Sequence, residues 1–406
     1  MGDLRLAWRN IWRNKRRTLL TAASIFLAVF LALMVRSLQM GLFDNLIQVA
    51  IESHTGHMQI HKKGYWDDKT IDNTMLYNDS MAGVVNNTKN ILVTVPRLEY
   101  FALASTGIQT KGVMIIGTDP LKENTLTHLK SKMLSGLYLD QSGRGVLLAQ
   151  GLAGFLGLHT GDTLILIGQG FHGVSAAGKF PVRGILHLPS PVLDNQVAYM
   201  NLPSAQDFFS ADNRVTSLSI SLKNPDEIGQ TLGELKSAVN LDKFEVMPWD
   251  ELMVEVMQQL KVKTASGMII ISILYMIVGF GIFGTVIMMT NERIKEFGVI
   301  VSVGMQKTRL AKILVLEMVF IGLTGAMSGV AGAVPIMAWY HFNPIHLWGS
   351  MAQTYIAYGI EPLLPLALKP GFIIYNVATV LVIVLLTCIF PVRRVLRLKV
   401  AEALHK

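Results

Sequence analysis

The run Asn291–Glu317, NERIKEFGVIVSVGMQKTRLAKILVLE, lies between two long apolar stretches. It gathers acids and bases on a short segment, breaks at Gly304 and then turns apolar again. Ile294, Phe297 and Val301 recur at helical spacing, while Glu292, Arg293, Lys295 and Glu296 cover the other face. This pattern predicts an amphipathic helix of about three turns ended by Gly304, because glycine suits the residue that follows a helix. Two uses fit such a helix. It can lie on lipid headgroups, or it can dock into another protein as a rigid lever that tilts the apolar stretches on both sides.

Those stretches set the class of protein. Thr18–Val35, Met268–Met289, Leu310–Tyr340 and Gly371–Phe390 each approach or exceed the ~20 residues that cross a bilayer as a helix. The chain of 406 residues is 51% hydrophobic, and its mean hydropathy of +0.42 is too high for a soluble domain with one core. The net charge of +8 is read first as an orientation signal, not as a nucleic-acid footprint. Basic residues precede the first stretch, but its length and the lack of a small-residue cleavage site speak for a span and against a signal peptide. Cys388 is the single cysteine, so there is no disulfide framework and no CxxC metal spacing.

Arg5, Arg9, Arg13, Lys15, Arg16 and Arg17 precede the first span. Arg293, Lys295, Lys307, Arg309 and Lys312 lie between the second and third, and Arg393, Arg394, Arg397 and Lys399 follow the fourth. Lys369 alone stands between the third and fourth. Lys/Arg-rich short loops stay in the cytoplasm, so both termini and the charged loop are expected there. The expected fold is a four-helix membrane protein with a large mixed α/β domain inserted outside, between helices 1 and 2. Strand-like runs such as KGVMIIG, DTLILIG and TSLSISL and helical runs such as DEIGQTLGELKSAV support the mixed class. The expected organisation runs as a cytoplasmic segment over 1–17, a span over 18–40 and an external α/β domain over 41–267 with helical stalks at both ends. A span over 268–290, a charged loop over 291–309 and a span over 310–340 follow, then an external loop over 341–370, a span over 371–391 and a cytoplasmic tail over 392–406.

Three stretches, all on the expected cytoplasmic side, resemble the FtsX-like, MacB-type ABC transporter permeases. They are LAWRNIWRNKRRTLLTAASI, the charged loop NERIKEFGVIVSVGMQKTRLAKILVLE and the closing FPVRRVLRLKVAEALHK. LLAQGLAGFLGLHTGDTLILIG and FPVRGILHLPSPVLDNQVAYMNLPSAQDFF extend the resemblance into the α/β domain, towards the lipoprotein-releasing permeases LolC and LolE. The resemblance implies that the charged loop is a coupling helix seated in a cleft of a partner ATPase, with Glu292, Arg293, Ile294, Glu296, Phe297, Val301, Gly304 and Met305 at the contact. No G-x-x-x-x-G-K-S/T occurs in the chain, so ATP and Mg are expected on two copies of a separate ATPase subunit, and no cofactor on this chain. With about 17 residues ahead of the first span, the layout is similar to LolC and LolE and not to MacB, which carries its ATPase in the same chain.

The implied activity is that of a non-catalytic subunit in a bacterial inner membrane, working as a dimer with itself or a paralogue. ATP-driven motion would be transmitted to the periplasmic domain to extract lipoproteins or other acylated substrates for a periplasmic carrier or adaptor. Mechanotransmission in MacB-like efflux and FtsX-like signalling to a cell-wall hydrolase are the alternatives. A substrate groove is expected from Phe30, Met34 and Leu38 on span one, at i, i+4 and i+8, with Ile271 and Tyr275 on span two. Ordinary packing against lipid or protein is the other reading of these positions. Between two strands, Gly170–Phe180 resembles in position the carrier-binding hook of LolC, with Phe171 and His172 at its tip.

Four further features have plainer readings. His54, His57 and His61 are close enough to suggest a metal, but GHMQIH alternates as a strand with His57, Gln59 and His61 on a solvent-facing side, so no metal site is expected. Arg36 is placed to snorkel to headgroups, or alternatively to grip a substrate phosphate or carboxylate. Glu317 is expected to pair with a nearby base. Gly322, Gly325, Gly329 and Gly332 form a smooth stripe for close helix contact, either within the subunit or against a partner permease. No Ser-His-Asp, Cys-His or H-E-x-x-H arrangement argues for an enzyme.

Overall fold

The computed structural model describes residues 2–399 except 14, 79, 80, 82, 84, 86, 87, 142 and 358–361. The chain divides into two compact units, one of residues 1–45, 259–346 and 363–406 and the other of 46–258 and 347–362.

The first unit is helical. Its labelled helices are α1 (Gly2–Arg13), α2 (Lys15–Ala50), α3 (Val254–Glu292), α4 (Ile294–Ser302), α5 (Lys307–Phe342), α6 (Pro370–Thr387) and α7 (Ile389–Leu396). Four stretches are long and apolar enough to cross a membrane: Thr18–Val49, Leu260–Glu292, Lys307–Phe342 and Pro370–Leu396. The glycine stripe of α5 is used inside the subunit. A Cβ at Gly325 would lie 2.8 Å from the Ala22 carbonyl oxygen, and one at Gly329 2.8 Å from Val29 Cβ, so α2 packs backbone-close along it. Gly322 turns instead to Val384 and Leu381 of α6. Ile25, Val29, Leu33, Ile282, Val286, Met318, Ile321 and Val380 fill the centre of the bundle. The segment before α6 is tied to α2 by backbone pairing: Ser37 Oγ donates to the Ala367 carbonyl at 2.7 Å, and Ala367 N donates to Ser37 O at 3.0 Å.

The second unit is mixed α/β. Its ten-stranded sheet comprises β1 (Met58–Lys62), β2 (Ile91–Ser105), β3 (Thr110–Thr118), β4 (Met133–Gly136), β5 (Val146–Ala149), β6 (Thr163–Gln169), β7 (Ser175–Leu186), β8 (Val197–Asn201), β9 (Ser217–Leu222) and β10 (Phe244–Pro248). The order is β10-β1-β9-β2-β3-β8-β5-β7-β4, with β6 bridging β2 and β7. That bridge closes β2, β3, β8, β5, β7 and β6 into a ring. The closed ring itself has no open edge, and β10 and β4 stand at the ends of the sheet order. Leu98, Ala104, Ile115, Leu148, Leu164, Leu166 and Met200 are among the residues of its core.

The strand that carries the histidines departs from its expected exposure. Met58 and Ile60 face the core, but Gln59 and His61 on the other face are buried as well. Tyr65 and Trp66 from the following turn lie over the His61 ring, each at 5.4 Å. The alternation is real, but both faces of the sheet are covered here, and periodicity cannot show that a second layer exists.

Candidate functional site: the charged loop and its anchors

The chain breaks between α3 and α4 at Arg293, and Phe297 N donates to the Arg293 carbonyl at 2.9 Å, closing the first turn of the new helix. Past α4, Gly304 adopts φ +105°, a region that side chains other than glycine's enter with strain. Sequence and structure therefore agree on where this helix stops.

They differ on which way it faces. Phe297 is only 1% exposed and packs with Leu310, Ala311 and Leu314 of α5 and with Val395 and Leu398. Ile294, Val301 and Met305 are half-buried against the same cluster. The apolar side of α4 is thus spent on its own subunit and cannot form the centre of an external contact. The polar side is also partly internal. Arg293 is buried, and its Nη1 donates to both Glu317 carboxylate oxygens at 2.8 and 3.0 Å. Its Nε lies 3.6 Å from Glu296 without a hydrogen bond, beside a cavity of about 20 Å³ lined in part by Met289, Phe297, Glu317 and Cys388. Arg13 of α1 reaches Glu296 at 2.5 Å, Arg309 reaches Asp3 at 2.9 Å, and Lys307 donates to the Leu398 carbonyl at 2.6 Å. Glu317 therefore does pair with a base, though with Arg293 and not with Arg309 or Lys312.

Outward along α4 and at its two ends are Glu292, Lys295, Glu296, Val299, Ser302, Val303 and Gly304. Val299 is half exposed and Val303 84% exposed, one turn apart, with Lys295 a further turn back. The sequence reading missed Val299 and Val303. The available signal was spacing: residues 295, 299 and 303 share a face, and that face is the outward one because 294, 297 and 301 are taken by the core.

The other expected sites are distributed as follows. Phe30, Met34, Leu38 and Tyr275 are half-buried against one helix core, and Ile271 is half-buried outside that cluster. The Tyr275 hydroxyl donates to Asn376 Oδ1, so its polar end is committed within the bundle. Arg36 donates to Gln39 at 3.2 Å. Phe171 and His172 sit in a tight turn between β6 and β7 that is folded onto its own unit. The Phe171 ring lies under the Arg214 guanidinium at 4.2 Å, and His172 N donates to Asp72 at 2.8 Å. Phe171 is therefore half-buried and packed against its own unit, while the His172 side chain remains exposed.

No group of three or more His, Cys, Asp or Glu is placed to hold a metal ion among the described residues. Burial holds His54 and His57 below the usual histidine range. Burial, with a smaller push from Lys69, lowers His61 to about 3.

The chain thus combines four span-length apolar helices, a short charged helix between two of them and a mixed α/β unit. Residues 268–400 match the FtsX-like permease C-terminal domain, so the chain carries that domain. It is 22% identical to the lipoprotein-releasing system transmembrane protein LolC of Neisseria meningitidis serogroup B, over 96% of this chain and 94% of that one. Among solved structures, the periplasmic region of MacB from Actinobacillus actinomycetemcomitans overlaps 52% of this chain and 97% of its own length, at 16% identity and a TM-score of 0.38. The extracellular domain of the ABC-type transporter YknZ from Gram-positive bacteria overlaps 47% of this chain and 98% of its own, at 13% identity and a TM-score of 0.35.

Proposed function

We propose that this chain is the membrane subunit of an inner-membrane transporter that releases lipoproteins or other acylated substrates. A separate ATPase pair hydrolyses ATP, α4 receives the movement, and the α/β unit on the periplasmic side acts on the cargo. The observation that carries the coupling role is the mounting of α4. Its inner face is fixed by Phe297 and the Arg293–Glu317 pair, and its outer face presents Lys295, Val299 and Val303. A small apolar centre with a polar rim is the composition of a protein contact. The near full-length likeness to a lipoprotein-releasing protein supports the cargo class.

A photocrosslinker at Val303, in membranes that contain the whole transporter, tests the coupling role. It should capture the ATPase, and Val299→Asp in the same chain should abolish that capture while leaving the helical unit folded. Capture of phospholipid alone would show that α4 rests on the bilayer. A second probe at Met34 tests the cargo, and should capture an acylated protein in an ATP-dependent manner.

A further inference from the structure

The α/β unit holds its most deeply buried charges where the chain from α2 enters it. After Ala50 a π-helical turn, Ile51–Thr55, leads through Gly56 into β1. The last carbonyls of a helix have no partner within it and need donors from elsewhere. Here two side chains of the sheet supply them. Arg97 of β2 donates from Nη1 to the His54 carbonyl, and Gln59 of β1 donates to the Thr55 carbonyl at 2.9 Å. Gly56 presses against β9: with φ +70°, a Cβ there would lie 2.8 Å from the Ile220 carbonyl oxygen.

Arg97 is itself held rigidly. Its Nε and Nη2 donate to the two carboxylate oxygens of Glu123 at 2.9 and 2.6 Å, and both side chains are fully buried. Thr118 donates to the same carboxylate at 2.9 Å. Burial alone would raise the Glu123 pKa, but the Arg97 charge and these hydrogen bonds hold it below the usual carboxylate range. A planar guanidinium with two donors on one acid has a fixed direction for the third, which a lysine ammonium lacks. The exit lies beside the entry. β10 pairs with β1 from Met58↔Pro248 to Lys62↔Phe244, and Trp249 N donates to the His57 carbonyl at 3.0 Å.

We infer that Arg97 is a positioning residue that fastens the chain arriving from α2 to the sheet, so that displacement of that chain moves β2 and β9 and is not lost in a loose turn. Because β1 and β10 are neighbours, one fastening serves both the incoming and the outgoing chain. The geometry stands on its own. Its use in transport rests on the function proposed above.

Hydrogen exchange on the full-length protein in lipid nanodiscs, without ATPase, tests the fastening. The paired substitution Arg97→Met with Glu123→Gln removes both charges and keeps an acceptor for Thr118. The Gly56 amide, bonded to the Ile51 carbonyl, should then exchange about tenfold faster or more, while the sheet amides of Ile60 and Ile220 keep their rates. Glu123→Gln alone, which leaves Arg97 in reach of His54, should leave Gly56 unchanged. Should the paired variant fail to fold, Arg97→Lys decides instead: it keeps a cation for Glu123 but not the fork, and should also loosen Gly56. Unchanged protection at Gly56 in a folded variant overturns the inference. In the assembled transporter, the folded variant should hydrolyse ATP but release cargo about tenfold more slowly. A wild type that releases no acylated cargo would overturn the transport reading, leaving the exchange result to judge the fastening.

Discussion

Each unit buries one arginine against one carboxylate, and the two pairs are built differently. Arg97 gives Glu123 two donors from separate nitrogens, gives a third to a backbone carbonyl and has Glu99 at 3.5 Å. Arg293 contacts Glu317 through one nitrogen, its Nε has no hydrogen-bond partner, and the residue lines a small cavity. The first pair is saturated and lies inside a fixed sheet. The second has spare donors and joins a short helix to a long one. A saturated buried pair has one good geometry, whereas an under-used one tolerates small shifts of its partners. The chain thus has a rigid joint in the α/β unit and a more compliant one under α4.

Breaking the saturated pair should give the largest effect. Arg97→Ala leaves Glu123 buried without its counter-charge, and should cost the α/β unit about 3–5 kcal/mol, read by chemical denaturation in detergent. Glu317→Ala should cost less, about 1–3 kcal/mol, because Glu296 remains within 3.6 Å of Arg293 and water has room beside it. Equal losses in the two variants would remove the contrast between the joints.

At neutral pH the smallest effect is that of His61, which grows only on acidification and marks the α/β unit as a place of fixed protonation. His61 is neutral in the fold down to about pH 3, and in the unfolded chain it takes up a proton below the ordinary histidine pKa, about 6.5. Its folded pKa is depressed, so the unfolded state binds the extra proton and stability falls as pH drops from about 6.5 towards 3, by at most ~1.4 kcal/mol per pH unit. His61→Asn should flatten the stability profile between pH 6 and 4 by about one proton. His54 and His57, lowered in the same direction, remain in both proteins and cancel in the difference. An unchanged slope would mean that His61 is reached by water in the native state.

The sequence by itself determined the four apolar helices, the mixed class of the other unit and the helix end at Gly304. These follow from local composition, spacing and backbone freedom, which need no knowledge of neighbours. Only the tertiary structure decided which side of α4 is free. An amphipathic helix declares that it has an apolar side, but not whether Phe297 is covered by Leu310 and Val395 or by another protein. The same holds for His61, whose strand alternates as a half-buried strand should, yet whose outer face is roofed by Tyr65 and Trp66. Phe171 is a further case, packed against an arginine 43 residues away in sequence. The partner of each buried arginine was likewise a matter of tertiary structure, since Arg97 meets Glu123 and Arg293 meets Glu317 across 26 and 24 residues. Pattern fixes what a segment can bury, and the fold chooses what buries it.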